Sequence, residues 1–316
     1  MERQKKMKKK NIKFISQQDG LRLDGLLIMP DEEPRAVLQI AHGMCEYKER
    51  YIPFMEYMAE SGFACIINDH RGHGKSIRHS EDLGYFYQNG GEALVEDLHQ
   101  ITEAVKDQLR GLPYFLFGHS MGSFAVRCYT KKYDKSIDGL IVCGCPGENS
   151  MAVIGTMLDK VVQKYKGDHG RSDIINELFS RNFEKAFAEE KLPHAWVCSD
   201  KEVVKKYNED PLCNFTFTLN GYEALLWLSK NTYSKQGWTL KNPELPIHFI
   251  SGEMDPCMIN RKKFDEAVKL MEKVGYKHVT SCLYQGMRHE ILNETGKEQV
   301  YADVEKFCNE IIKKLK

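Results

Sequence analysis

Pro113-Tyr-Phe-Leu-Phe-Gly-His-Ser-Met-Gly122 carries an apolar, aromatic run into Gly118-His119-Ser120-Met121-Gly122, a Gly-x-Ser-x-Gly pattern, and Ser123-Phe-Ala-Val-Arg-Cys-Tyr129 beyond it reads as a helix. A serine on a sharp strand-to-helix turn holds its hydroxyl above the end of a sheet, and glycines on either side leave room for that turn. Small residues and serines also meet by chance in ordinary glycine-bounded turns, so the flanks decide. A continuous apolar run suits a central parallel strand buried on both faces. The strand–turn–helix order is the setting such a nucleophile elbow requires. Ser120 is the candidate nucleophile.

Outward from this point the chain alternates. Asn11–Gln17 and Leu21–Met29 form an expected antiparallel pair turning at Asp19-Gly20. Ala36–Ala41 is a buried strand ending at His42-Gly43, Tyr51–Ser61 a helix stopped by Gly62, and Phe63–Ile67 the next strand. Leu94, Leu98, Ile101, Val105 and Leu109 recur at helical spacing over Gly91–Leu109. Gly139–Cys143 is a further strand. From about Gly147 to Lys241 the alternation lapses, and apolar residues fall at helical spacing: Val153, Met157 and Val161, then Leu178, Phe179, Phe183 and Phe187. Alternation resumes with the strand Pro246–Ile250, a helix near Arg261–Val274, the strand Val279–Tyr284, and a last amphipathic helix marked by Val300, Val304, Phe307, Ile311 and Leu315. The expected fold is α/β: a mostly parallel central sheet flanked by helices, with a helical cap insertion. Its expected parts are a basic flexible tail over 1–10, a core over 11–146 and 242–316, and the cap over 147–241.

Composition narrows the function. Lys+Arg and Asp+Glu both number 45 in 316 residues, so no global field draws nucleic acid. The basic start, Met1–Lys10, is either a solvated tail or a weak contact for anionic lipid or an acidic partner. No apolar stretch is long enough for a membrane helix, and no apolar region follows the basic start as in a signal peptide. The ten cysteines include no Cys-x-x-Cys pair, and Cys65, Cys143 and Cys282 fall in expected strands as small apolar groups. Cys143-Gly-Cys145 is too short a spacing for a zinc loop. His70 and His73 lack further ligands at useful spacing, and no phosphate-binding Gly-x-x-x-x-Gly-Lys-Ser/Thr is present. The expectation is a reduced, cytoplasmic protein with no cofactor, no metal and no nucleic-acid partner; oligomeric state is not legible.

A serine hydroxyl needs a base to take its proton, and the base needs an orienting acid. In this chain order the acid and then the histidine follow the serine, each just past a strand. Asp255 lies after the strand Pro246–Ile250, with Glu253 as its nearby competitor, and His289 lies after Val279–Tyr284. Of the eleven histidines, His70 and His73 come too early, His169 and His194 lie in the insertion, His248 sits inside a strand, and His278 precedes its strand. The developing oxyanion needs two N–H donors. Met121 follows the nucleophile, and Met44 lies in the loop after the strand Ala36–Ala41, where Gly43 permits a tight turn.

Five blocks together resemble the monoglyceride lipase and lysophospholipase group of α/β-hydrolases: His42-Gly-Met-Cys-Glu-Tyr-Lys-Glu-Arg-Tyr51, Asp69-His-Arg-Gly-His-Gly-Lys-Ser76, Leu116–Gly122, Gly252-Glu-Met-Asp-Pro256 and Gly286-Met-Arg-His-Glu290. They span nearly the whole chain outside the tail. The resemblance implies a Ser120–His289–Asp255 triad, an ester substrate with an acyl chain, and a cap that shapes the acyl pocket. Phe215, Phe217, Tyr222, Leu226 and Trp227 are the pocket candidates, plain cap packing being the alternative for each. Cys257 stands where many members carry an aliphatic residue, and a packed, inert thiol is expected there. Arg71 is expected to support the active-site loops, and Glu46 and Arg50 to pair on a helical turn, worth a few tenths of a kcal/mol if exposed. The enzyme alternative is an amide or peptide hydrolase, which a site for a substrate α-amino group, typically acidic cap residues facing Ser120, would favour, with Glu177, Glu189 and Glu190 available. The remaining alternative is a non-catalytic ligand-binding protein, which would usually lack a triad member.

Overall fold

Strand residues that alternate between two apolar layers explain the architecture. In β5 (Tyr114–His119), Tyr114 and Leu116 enter one buried cluster while Phe115 and Phe117 enter the other. The same alternation runs through β3 (Ala36–Ala41), β4 (Phe63–Asn68) and β6 (Gly139–Cys143), so each is buried on both faces. With β1 (Lys8–Ile15), β2 (Arg22–Met29), β7 (Ile247–Gly252) and β8 (Val279–Tyr284) they form one sheet in the order β1-β2-β4-β3-β5-β6-β7-β8. The pairs of β2 with β1 and β4 are antiparallel; the pairs from β4–β3 through to β7–β8 are parallel. The computed structural model describes residues 7–148 and 162–315.

Helices cover both faces. On one lie α1 (Ile52–Glu60) and, at the chain's end, α8 (Lys297–Leu315). On the other lie α2 (Gly90–Gln108), α3 (Met121–Tyr133) and α7 (Arg261–Val274). Between β6 and β7 come α4 (Asp173–Ala186), α5 (Lys201–Glu209) and α6 (Leu219–Tyr233). Among the described residues no helix is long and apolar enough to cross a membrane.

Two expectations need adjustment. The tail expected over 1–10 is already strand from Lys8, where Lys8, Lys9 and Lys10 pair with Met29, Ile28 and Leu27. β2 runs on to Met29 and offers a ladder that the lysines complete from the water-facing sheet edge. Residues 1–6 lie outside the described residues. The helical segment after β6 is also not all cap. Leu219, Tyr222, Leu225 and Leu228 of α6 belong to the sheet's own apolar cluster, and Thr232 Oγ1 donates to Phe124 O of α3 at 3.1 Å. Among the described residues of this segment, only the region around α5 has a cluster of its own, built on Val197, Cys198, Val204, Tyr207 and Cys213. Val153, Met157 and Val161 lie outside the described residues.

Candidate active site

Ser120 sits between β5 and α3 with φ 52° and ψ −115°, a conformation held only where the surroundings impose it. Gly118 and Gly122 allow it. A Cβ on Gly122 would lie 2.1 Å from Ala41 O, and one on Gly118 would lie 2.4 Å from Gly122 O. The start of α3 thus seats directly on the end of β3. Ser120 N–H donates to Cys143 O at 3.0 Å, which pins the turn to β6.

The loops after β7 and β8 bring Asp255 and His289 to the same end of the sheet. His289 Nδ1 donates to Asp255 Oδ2 at 2.9 Å. Ser251 Oγ donates to that oxygen at 2.9 Å, and Cys257 N–H donates to Oδ1 at 2.8 Å. Burial pushes the Asp255 carboxyl up, but the charge and hydrogen bond of His289, with these two donors, outweigh it and hold it below the usual carboxylate range. Nδ1 being committed, Nε2 is the nitrogen left to accept a proton. His289 and Ser120 line one cavity, although among the described contacts Ser120 Oγ has no hydrogen-bond partner. Glu253, the competing acid, is exposed. Asp255, Cys257 and His289 form the one cluster with metal-ligating atoms close together among the described residues. Both Asp255 oxygens and Nδ1 are already bonded, leaving only Nε2 and Cys257 Sγ, 3.9 Å apart, too few for a zinc centre.

Met44 and Met121 line the same cavity, and among the described residues neither backbone N–H donates to a protein acceptor. Two histidine rings set the Met44 loop. His73 Nε2 accepts Cys45 N–H at 3.3 Å and His42 Nε2 accepts His70 N–H at 2.9 Å. Their Nδ1 atoms face Arg71 O and Gly43 O at 3.1 and 2.8 Å, so each ring is neutral with its proton on Nδ1. Burial, with the neighbouring histidine charge, holds His42 well below the usual histidine range, and burial pushes His73 down to about 4. Arg71 is fully buried and ties the β1–β2 turn to α2 through Asp19 at 3.0 Å and Asp97 at 2.8 Å.

Glu46 and Arg50 pair as their spacing predicts, at 3.3 Å, but largely out of water. Glu46 is buried and accepts from Gly43 N–H, Tyr51 Oη at 2.9 Å and His119 Nδ1 at 2.9 Å, with Arg50 Nη1 at 3.3 Å. Arg50 also makes a two-pronged bond to Glu290, at 2.5 and 2.6 Å. His119 Nε2 faces His289 O at 3.3 Å. Acceptors at both nitrogens favour the doubly protonated ring. Burial opposes that charge, but Glu46 outweighs burial and raises the His119 pKa. For Glu46, burial pushes up while His119, Arg50 and Gly43 N–H pull the carboxyl down to about 2. Residues far apart in sequence thus hold the elbow, the Met44 loop and the His289 loop together.

The cavity, about 250 Å³, is walled by Phe124, Leu178, Phe179, Phe183, Trp196, Val197, Phe215, Leu225, Leu226 and Ile259 among the described residues. Phe215 and Leu226 are where the sequence placed them. Phe217, Tyr222 and Trp227 are not on the wall. Phe217 is buried between His73 and Phe86, with ring centroids 5.3 and 5.2 Å away. Tyr222 is one layer back: it stacks on Phe179 at 4.9 Å and donates to Asn176 Oδ1 at 2.7 Å. Trp227 lies on the far side of α6, where a Cβ on Gly91 of α2 would meet it at 2.8 Å. The missed wall residues Leu178, Phe179 and Phe183 were visible as an apolar stripe. That stripe reads as core until one sees that Ile175 is the one buried residue of α4.

A sheet of this order, with a serine elbow after its central strand and acid and histidine on later strand ends, defines a serine hydrolase of the α/β-hydrolase fold. The chain belongs to the serine aminopeptidase S33 family (Hydrolase_4), whose model matches residues 32–296. It is 26% identical to a monoacylglycerol lipase of Mycolicibacterium smegmatis over 288 residues, covering 90% of this chain and 92% of that protein. It is 30% identical to the human monoglyceride lipase over 269 residues, 84% of this chain and 78% of that one. Among solved structures, a highly thermostable carboxyl esterase from Bacillus coagulans, in complex with glycerol, superimposes with a TM-score of 0.89 at 28% identity, covering 97% of this chain and all of that one.

Proposed function

We propose that this protein hydrolyses carboxylic esters of one acyl chain, of the monoacylglycerol or lysophospholipid kind, with Ser120 as nucleophile, His289 as base and Asp255 as its orienting acid. The observation that carries the reading is one cavity that holds Ser120 and the Asp255-bonded His289 at an aromatic and aliphatic wall. The names of the lipase and esterase relatives point the same way. Ser120 Oγ attacks the ester carbonyl as its proton passes to His289 Nε2. The carbonyl oxygen becomes an oxyanion held by Met44 and Met121 N–H; losing one such donor costs about 2.7–4 kcal/mol of transition-state stabilisation. The intermediate collapses, the C–O bond to the alcohol breaks, and Nε2 returns its proton to the leaving alkoxide. Water, deprotonated by the same nitrogen, then attacks the acyl-enzyme, releasing the acid and restoring Ser120. Asp255 keeps the tautomer and stabilises the imidazolium.

Aminopeptidase chemistry is less well supported despite the family's name. The carboxylates on the cavity wall among the described residues are Glu46 and Glu290, and both are committed to Arg50 or His119. Glu177, Glu189 and Glu190 are not on that wall, so among the described residues no uncommitted carboxylate lines the cavity for a substrate α-amino group. The reading includes a reducing, cytoplasmic setting, which the ten unpaired cysteines support, and weak attraction of the basic start to anionic lipid.

A fluorophosphonate probe should label the wild type at one site and leave Ser120→Ala unlabelled. A C2–C12 p-nitrophenyl ester series should outpace aminoacyl anilides. Labelling elsewhere, or anilides turned over faster than every ester, sinks the proposal.

A further inference from the structure

The loop that carries His289 is stitched to the cavity wall. Trp196 and Val197 line the cavity, and the same two residues accept backbone hydrogen bonds from His289 N–H at 3.4 Å and Glu290 N–H at 2.8 Å. The Trp196 ring lies 5.3 Å from the His289 ring. The side chain beside the histidine brackets this pairing. Arg288 is buried, and its Nη1 donates to Ala195 O at 2.5 Å and Cys198 O at 3.3 Å, one carbonyl on each side of Trp196-Val197. Its Nη2 pairs with Glu190, and its guanidinium lies over the Phe187 ring, 4.0 Å from the centroid. Arg288 N–H donates to Glu294 Oε1 at 2.8 Å, and the same oxygen accepts Ser199 N–H at 2.9 Å. The stretch from Lys191 to Ser199 has no strand or helix of its own; these bonds hold it on the His289 side, while Trp196 Nε1, donating to Glu184 Oε1 at 3.0 Å, holds it on the α4 side.

We propose that Arg288 is a positioning and specificity-determining residue: it fixes the Trp196-Val197 wall against the His289 loop, so the contact of a long acyl chain with that wall is transmitted to the placement of the base. This rests on the reading that the cavity takes the acyl chain of an ester. Arginine suits the task because its planar fork reaches two carbonyls and a carboxylate at once, which a lysine ammonium cannot do in the same geometry. Without it, two buried carbonyls and Glu190 lose their partner, and the wall loosens where a long chain lies. A two-carbon acetyl group covers far less of that wall than a ten-carbon chain does.

The test compares p-nitrophenyl acetate and decanoate on the wild type, Arg288→Ala, Arg288→Lys and Glu190→Gln, each rate corrected for folded fraction. Arg288→Ala should lower kcat/KM for decanoate by about tenfold and for acetate by no more than about threefold. Arg288→Lys should fall between it and the wild type. Glu190→Gln keeps the two carbonyl bonds and should show a smaller loss, still selective for decanoate. If Arg288→Ala does not fold, Glu190→Gln decides alone. Equal losses on the two esters, or no loss, overturn the assignment. A wild type that turns over neither ester overturns the ester-hydrolase reading itself, and this inference with it; a wild type active on both, with variants parallel to it, overturns only the role of Arg288.

Discussion

Replacing Glu46 by glutamine is the sharpest probe of the buried network under the elbow. The amide keeps the size of the side chain and its oxygen still accepts from Gly43 N–H and Tyr51 Oη, but the charge that keeps His119 protonated is gone. A carboxyl moved from 4.5 to about 2 contributes about 3 kcal/mol of folding stability wherever it is ionised in both states. Breaking a buried ion pair from one side costs a similar 3–5 kcal/mol or so. The pH sign follows from the two shifts. Glu46 is lowered, so its contribution is present above 4.5 and lost as pH falls through about 2. His119 is raised, so its contribution is present in full below 6.5 and lost as pH rises through its higher folded value. Wild type minus Glu46→Gln should therefore be about 3 kcal/mol between pH 4.5 and 6.5 and smaller in mild alkali. Urea unfolding at about pH 5.5 and 8.5, with equal m-values in both proteins, measures it. A deficit under about 1 kcal/mol at the lower pH, or one that grows at the higher pH, refutes the ion-pair account.

Asp255→Asn should leave the fold intact and lower kcat by about 10⁴-fold, because the amide no longer enforces the Nδ1–H tautomer; steady-state kinetics beside a thermal melt checks it. His73→Phe should leave Cys45 N–H without its acceptor and let the Met44 donor drift, lowering kcat by about ten- to a hundredfold with little change in KM; a KM change without a kcat change counts against that role. Phe179→Ala should lengthen the preferred acyl chain in a C2–C12 series by opening the wall, whereas Trp227→Ala should cost stability and leave the profile in place. A shifted profile in Trp227→Ala alone would mean that the wall is misassigned.

The contrast between Phe179 and Trp227 shows where a sequence stops speaking. Features set by a few neighbouring residues were legible: the elbow at Ser120, the strand ends that carry Asp255 and His289, and the turn that offers Met44 are short-range consequences of glycine placement and strand length. Helical spacing says which residues share a face, but not what that face meets. On α6 the apolar residues wrap most of the helix, so Tyr222, Leu226 and Trp227 look alike in sequence while pointing to a second layer, the cavity and Gly91 of α2. On α4 the stripe at Leu178, Phe179 and Phe183 marks a helix face, but nothing local reveals that this face lines the cavity. The Arg50–Glu290 and Glu46–His119 pairs were illegible for another reason. Each joins residues whose closeness depends on the complete strand order, with β3 beside β5 and the β8 loop folded back over both. Glu46 and Arg50 carry a local i,i+4 pattern that predicts a weak surface pair. Only the tertiary fold removes their water, and with that the same two side chains become a site where one proton's worth of charge matters to both stability and the placement of His289.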